Sequence, residues 1–321
     1  MRKIILNFNR QFPIGIKLAK KVKIPGQFEA LTLGGVGGSA LVGDLLKIWL
    51  ESYKIALPVF LHRDYGLPYQ TDQSHLVVLI SYSGNTEETL FSFEQAKRKD
   101  FSLCCITSGG RLYQLCKKNK IPVVKIPSGL PPRMSIGYQF SALMQILVNC
   151  GMIRNNLKNL LNLEKNLKPK KLEKEGKRLA KKLLNKIPLI YASRQREAIA
   201  RIWKIKFNEN SKVPAFWNFF PELNHNELVG LERFKDYFLV LILKDPADHP
   251  RNLKRMELTA KILKERGVGV EILNFEGKDI LYKIFSSLLL ADWTSFYLAK
   301  NYKIDPLPVK IVEEFKKRLG K

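Results

Sequence analysis

His75–Thr89 reads HLVVLISYSGNTEET, and the fold is decided there. Its first half is a continuous apolar run, the pattern of a parallel strand buried on both faces. Ser83, Gly84 and Asn85 then turn the chain, and TEETLFSFEQAKRK (Thr86–Lys99) reads as a helix. Glu87 and Glu88 fall in its first turn, where the helix dipole favours acids. The same strand-to-helix alternation extends outward. Upstream stand the strand FEALTLGG (Phe28–Gly35), the helix SALVGDLLKIWLE (Ser39–Glu51) and the strand PVFLHR (Pro58–Arg63). Downstream come SLCCIT (Ser102–Thr107), a short helix over Leu112–Lys118, PVVKIP (Pro122–Pro127) and the long apolar helix Met134–Gly151. Strands alternating with helices predict an α/β fold with a doubly wound, flavodoxin-like parallel sheet.

The alternation returns in the second half. PLIYAS (Pro188–Ser193), YFLVLIL (Tyr237–Leu243) and GVEILN (Gly269–Asn274) read as strands. Helices are expected over Arg196–Lys212, Leu253–Gly267, Ile280–Lys300 and, after a double-proline start, Pro306–Leu319. Between the halves, Arg154–Lys186 carries 12 Lys/Arg against 3 acids, with leucines at helical spacing. The expected organisation is two α/β domains in tandem, residues 1–152 and 187–321, joined by a basic helical linker over 153–186.

A chain of 321 residues has room for two such domains. The apolar fraction of 45% and charged fraction of 26% exclude a disordered chain, a collagen-like repeat and a disulfide miniprotein. No run of about 18 apolar residues predicts a membrane span. The N-terminal apolar piece, broken by Asn7, Asn9, Arg10 and Gln11, is too short for a signal peptide. A cytoplasmic protein is expected. Cys104, Cys105, Cys116 and Cys150 form no C-x-x-C pair, and the four histidines form no H-x-x-x-H or H-E-x-x-H, so no protein-built zinc site is expected. The net charge of +26 points to an anionic partner: nucleic acid, a phosphorylated metabolite, or nothing beyond a lysine-rich surface.

Two motifs carry chemistry. GGVGGSALVGD (Gly34–Asp44) ends a strand in glycines and opens a helix, so backbone N–H groups can approach an anion closely. A dinucleotide site would want an acid ending the next strand, and LHRD (Leu61–Asp64) fits poorly. The second motif, ISYSGNTEET (Ile80–Thr89), sets Ser81, Ser83 and Thr86 around a strand-to-helix turn. Three hydroxyls and a helix start can converge on one phosphate. Ordinary capping needs one hydroxyl, not three. No P-loop lysine is present.

S-x-S-G-N-T after a buried strand resembles the sugar-isomerase (SIS) domain, a phosphosugar-binding module. GGVGGS is similar to that family's sugar-contacting loop. PPRMSIGYQF (Pro131–Phe140), NENSKVPAFW (Asn208–Trp217), PELNHNELVG (Pro221–Gly230) and IDPLPVKIVEEFKKRL (Ile304–Leu319) extend the likeness from about Leu31 onward. Together they resemble the bifunctional phosphoglucose/phosphomannose isomerase family.

The resemblance implies aldose–ketose isomerisation of glucose 6-phosphate and mannose 6-phosphate to fructose 6-phosphate through a cis-enediol. That chemistry needs a phosphate anchor, a ring-opening acid/base, a base between C1 and C2, and a cation near the enediolate oxygens. It calls for no metal or redox cofactor. The resemblance points to Glu209 as the base and His225 as the ring opener, reaching the site from the partner subunit of a homodimer. Arg133 becomes the fixed cation. Lys300, with Lys303 as the alternative, assists at the ring oxygen. Thr294 is the small residue leaving room for either C2 epimer. Ser81, Ser83 and Thr86 hold the phosphate; Gly37, Gly38 and Ser39 face the sugar.

Two rivals stay in view. A non-catalytic phosphosugar-binding protein would keep the serine cluster and lose Glu209 or His225, and both are present. A nucleic-acid binder would interleave its basic residues with aromatics, and the basic helices have almost none. Neither nucleic acid nor membrane is expected as a partner. An SIS isomerase of another phosphosugar shares the phosphate site and is separable only by substrate.

Overall fold

The apolar runs become strands in the computed structural model, which describes residues 1–231, 233 and 235–320. In the N-terminal half these are β1 (Ala30–Gly34), β2 (Val59–His62), β3 (His75–Ser81), β4 (Leu103–Thr107) and β5 (Val123–Lys125). They form one parallel sheet in the order β2-β1-β3-β4-β5. Every residue of β1, β3 and β4 is buried. Helices alternate with them: α1 (Arg2–Leu6), α2 (Gln11–Ala19), α3 (Leu41–Ser52), α4 (Glu87–Arg98), α5 (Gly110–Lys118), α6 (Ile136–Asn149) and α7 (Leu157–Asn166). One face of the sheet packs Val77, Leu79 and Cys105 against Phe93 of α4 and Leu112 of α5.

The C-terminal half repeats the plan with β6 (Ile187–Ser193), β7 (Phe216–Phe220), β8 (Phe238–Lys244) and β9 (Gly269–Asn274), parallel in the order β7-β6-β8-β9. The strand order matches β2-β1-β3-β4, so β6 corresponds to β1 and β8 to β3. The helices are α8 (Glu173–Lys182), α9 (Glu197–Lys206), α10 (Glu227–Gly230), α11 (Pro250–Glu265), α12 (Ile280–Asn301) and α13 (Lys310–Leu319). Its core sets Tyr191, Phe220, Val240 and Ile242 against Met256 and Leu263 of α11.

The chain divides into two compact units: Leu6–Lys168 with Asp279–Tyr282, and Met1–Ile5 with Pro169–Lys278 and Lys283–Lys321. The division at Pro169 falls inside the expected linker. Both helices of that segment bury leucines, Leu160 and Leu163 in α7 and Leu179 in α8, so they belong to the packed units. Two further differences stand out. The N-terminal apolar piece folds into α1 and α2, burying Phe8 and Phe12. FWNFF is a strand that its own pattern does not announce; pairing with β6 makes it one. Among the described residues, no helix is long and apolar enough to cross a membrane.

Candidate active site

In a doubly wound sheet, the crevice for a ligand opens at the carboxyl ends of the strands where the order reverses. In the N-terminal unit that point lies between β1 and β3, and both sequence motifs arrive there. The Ser81 and Thr86 hydroxyls stand 2.8 Å apart. Gly84 N donates to Ser81 Oγ at 3.1 Å, and Asn85 N to Ser83 Oγ at 3.2 Å. Thr86 occupies the N-cap position of α4, yet its side chain makes no capping bond. Capping therefore does not account for Thr86; its hydroxyl is turned to Ser81. Ser81 is buried, Thr86 half-buried and Ser83 exposed.

Glycine is required where the turns touch. Gly84 has φ +70°, and a Cβ there would lie 1.8 Å from Gly109 O. A Cβ on Gly38 would lie 2.8 Å from Arg133 N, so this glycine lets the Pro131–Pro132–Arg133 turn press against the β1 loop. Gly37 is exposed with φ +59°, and Ser39 is buried with its Oγ accepting from Tyr82 N at 3.0 Å. Arg133 itself is only 2% exposed. Its turn is held from two sides. Tyr82 Oη donates to Pro127 O at 3.0 Å and accepts from Leu130 N at 2.9 Å. Gln11 Nε2 donates to Met134 O at 2.8 Å. Burial pushes the Tyr82 phenol up, which keeps it a donor. Gly37, Gly38, Ser39, Ser81, Ser83, Thr86 and Arg133 thus share one edge of one sheet.

The C-terminal unit carries the other candidates and does not gather them. Glu209 lies in a π-helical turn, Phe207–Ser211, that ends α9. It is half-buried and lines a cleft of 730 Å³ with Asn208, Lys212, Ile304, Asp305 and Val309. His225 is exposed, in the short helix Glu222–His225 after β7. Lys300 is exposed, with its ammonium 5.8 Å from the Phe296 ring centre. Lys303 has φ +56°, directly before Ile304. Thr294 is fully buried, and its Oγ1 donates to Leu290 O at 2.8 Å. Neither Lys300, Lys303 nor Thr294 is among the residues lining the cleft. The sequence reading also missed Gln11 and Tyr82; Tyr82 stands inside the S-x-S motif, whereas nothing in its neighbourhood marks Gln11.

The edge of the C-terminal sheet equivalent to the hydroxyl cradle is built differently. Asp245, fully buried after β8, accepts from Lys283 Nζ at 2.6 Å and Arg196 Nε at 2.9 Å. Burial pushes its carboxyl up, but these cations and the Ala247 N–H outweigh it and hold it below its ordinary value. Asp248 accepts from Ser193 Oγ at 2.6 Å, and there burial wins and the carboxyl is raised.

Two parallel sheets of one strand order, the first with a hydroxyl-and-glycine edge, define a tandem SIS protein. Residues 29–149 match the SIS domain, and residues 172–319 match the bacterial phospho-glucose isomerase C-terminal SIS domain. The fold resembles that of a glucosamine-6-phosphate deaminase from Thermotoga maritima, with a TM-score of 0.71, 15% identity, and 96% of this chain and 97% of that one covered. More narrowly, the chain belongs to the bifunctional phosphoglucose/phosphomannose isomerase family. It is 40% identical to the bifunctional phosphoglucose/phosphomannose isomerase of Caldicellulosiruptor bescii, over 97% of this chain and 95% of the relative. A D-glucosamine-6-phosphate 4-epimerase from Sulfolobus acidocaldarius is 30% identical over 92% of this chain and 91% of its own length.

Proposed function

We propose that the protein interconverts glucose 6-phosphate and mannose 6-phosphate with fructose 6-phosphate, as a cytoplasmic enzyme. The observation that carries this reading is the Ser81–Thr86 pair. Thr86 holds the N-cap position and declines to cap, so an anion bound there meets hydroxyls and the start of α4 together. Ser83 and the Gly37–Ser39 loop complete the contacts to phosphate and sugar.

His225 opens the ring by passing a proton to the ring oxygen and taking one from the C1 hydroxyl, with Lys300 beside that oxygen. Glu209 then removes the C2 proton, and electrons move into a C1–C2 double bond as C1=O becomes an enediolate. Arg133, a fixed and buried cation, stabilises that charge. Moving the O2 proton to O1 and returning the abstracted proton to C1 makes C2=O and leaves the ketose. Rotation about C2–C3 presents the C2 proton of either epimer to the same base.

Glu209 precedes β7 and His225 comes after it. A five-residue strand spans about 16 Å, at roughly 3.3 Å per residue. The two residues thus flank opposite ends of β7, and His225 is exposed, which supports a homodimer in which His225 enters the site of the other copy. No role for nucleic acid or membrane is proposed.

The test measures fructose 6-phosphate formed from each aldose phosphate, with glucosamine 6-phosphate as a third substrate. Turnover of both hexose phosphates is expected; conversion of the amino sugar alone would overturn the reading. Mixing Glu209→Gln with His225→Ala tests the dimer. After chain exchange, random pairing gives about half heterodimers, each with one intact site, so recovery approaches roughly a quarter of wild-type activity. A mixture that stays inactive after proven exchange would place both residues in one subunit's site.

A further inference from the structure

The turn that carries Glu209 is unusual, and the groups that hold it lie more than eighty residues away. A π-helical turn inserts one residue into the helical path and rotates the residues beyond it; such turns are rare and recur at functional sites. Here it covers Phe207–Ser211 and nothing else of α9. Its two ends are tied to one face of α12. On the near side, Lys206 Nζ donates to Asp292 Oδ1 at 2.5 Å, with both side chains at most 2% exposed. On the far side, Asn210 Nδ2 donates to Ser295 Oγ at 2.9 Å, and Ser211 Oγ donates to Ser295 O at 2.9 Å. Asn210, Ser211 and Ser295 are fully buried. Asp292 and Ser295 stand three residues apart, which on a helix places them on one face. Glu209 is half-buried between the two clamped ends and lines the cleft.

We propose that Ser295 and Asp292 are positioning residues for the Glu209 carboxylate, with Asn210 and Lys206 as the groups they grip. This rests on the reading of Glu209 as the base. Ser295 is the sharper half of the clamp. Its hydroxyl donates to Ala291 O at 2.8 Å, so its lone pair receives Asn210. Its own carbonyl receives Ser211. A single residue thus fixes both neighbours on the C-terminal side of the base. A proton abstraction between adjacent carbons tolerates little error, and a displacement of about 1 Å can cost on the order of 10²-fold in rate. The clamp touches no substrate, so its loss belongs in kcat and not in binding.

The experiment compares Ser295→Ala, Ser295→Thr and Glu209→Gln in the full-length protein. It measures kcat and KM for both aldose phosphates and the dissociation constant of glucitol 6-phosphate, a hexitol that cannot isomerise. Ser295→Ala is expected to lose roughly ten- to a hundred-fold in kcat. KM and the glucitol 6-phosphate constant should stay within about two-fold, and Ser295→Thr, which restores the hydroxyl, should recover most of the rate. A kcat within about two-fold of wild type, or a loss carried equally by KM and glucitol binding, overturns the proposal. Should Ser295→Ala fail to fold, Asn210→Ala removes the same bond from the other side and is read the same way. Glu209→Gln separates the two failures. If it stays active, the base is misassigned; if it is inactive while Ser295→Ala turns over at the wild-type rate, the clamp alone is wrong.

Discussion

The two sheets share a strand order but treat their reversal points in opposite ways. Between β1 and β3 the edge is made of Gly37, Gly38, Ser39, Ser81 and Thr86: small residues and hydroxyls, with no charge among those five. Between β6 and β8 the chain supplies its own anion. Asp245 sits where Lys283 and Arg196 both reach it, and Ser193 binds Asp248 beside it. Two buried cations facing a buried carboxylate satisfy one another. Desolvation of such a cluster is costly, so it stays closed only while every member has its partner. The same architecture thus yields one edge of hydroxyls and one edge closed by an ion cluster. In the C-terminal unit, the candidate reactive group lies instead at the far end of α9. The candidate phosphate hydroxyls thus lie in one unit and the candidate base in the other.

The harshest test of that division is Glu209→Gln. An amide keeps shape and hydrogen bonding but cannot take the C2 proton. Since general-base catalysis contributes typically 10²–10⁴-fold, kcat should fall by that order for both epimers while KM stays near wild type. Steady-state assays of both aldoses read this; more than about a tenth of wild-type kcat remaining would remove Glu209 from the role.

Sealing is tested by Asp245→Asn, which leaves Lys283 and Arg196 without their carboxylate. Breaking a buried pair from one side costs about 3–5 kcal/mol. Thermal unfolding should shift strongly, while kcat and KM at 25 °C in the folded variant stay at wild-type values. An unshifted melting curve would mean that the cluster does not hold the edge together.

Ser81→Ala combined with Thr86→Ala probes the hydroxyl edge. Each hydrogen bond lost to a charged oxygen is worth roughly 1.5–3 kcal/mol. KM should therefore rise about ten-fold or more, with a smaller change in kcat. An unchanged KM would move the phosphate away from this edge.

The smallest effect concerns acid. Glu173 is held down to about 2 by hydrogen bonds from Arg2 first, against burial, and then from Lys170 and Tyr297. A depressed carboxyl stabilises the fold fully above its ordinary value of 4.5 and loses that contribution as pH falls toward about 2. Urea unfolding of Glu173→Gln should therefore depend less on pH between about 4.5 and 2 than that of wild type. Arg2 and Lys170 are largely exposed, so the difference is modest. Parallel pH profiles would show that the Arg2 bridge contributes nothing.

Much of this was legible in the chain itself. LVVLIS reads as a strand covered on both faces, because six consecutive apolar or small residues, Leu76–Ser81, leave no polar side for water. S-x-S-G-N-T needed only its own six residues to form a cradle, since hydroxyl, turn and helix start are local. The glycines at 84 and 38 were visible as residues, though the atoms they make room for, Gly109 O and Arg133 N, were not. FWNFF became β7 only by pairing with β6, because an aromatic run broken by Asn218 has no period of its own.

The deeper decisions were tertiary. Sequence determined most strands of the two sheets and the hydroxyl motif, because these rest on periodicity or on neighbours within one turn, whereas Glu209, Arg133 and His225 stood out as candidates through the resemblance to the isomerase family. Only the folded chain decided that Asp245 closes the second edge, and that Ser295 and Asp292 hold the turn that carries Glu209. Those outcomes depend on partners 38 or 49, and 85 or 86 residues apart, and a hydrogen bond of under 3 Å is set by where whole helices pack, a distance that no local pattern encodes.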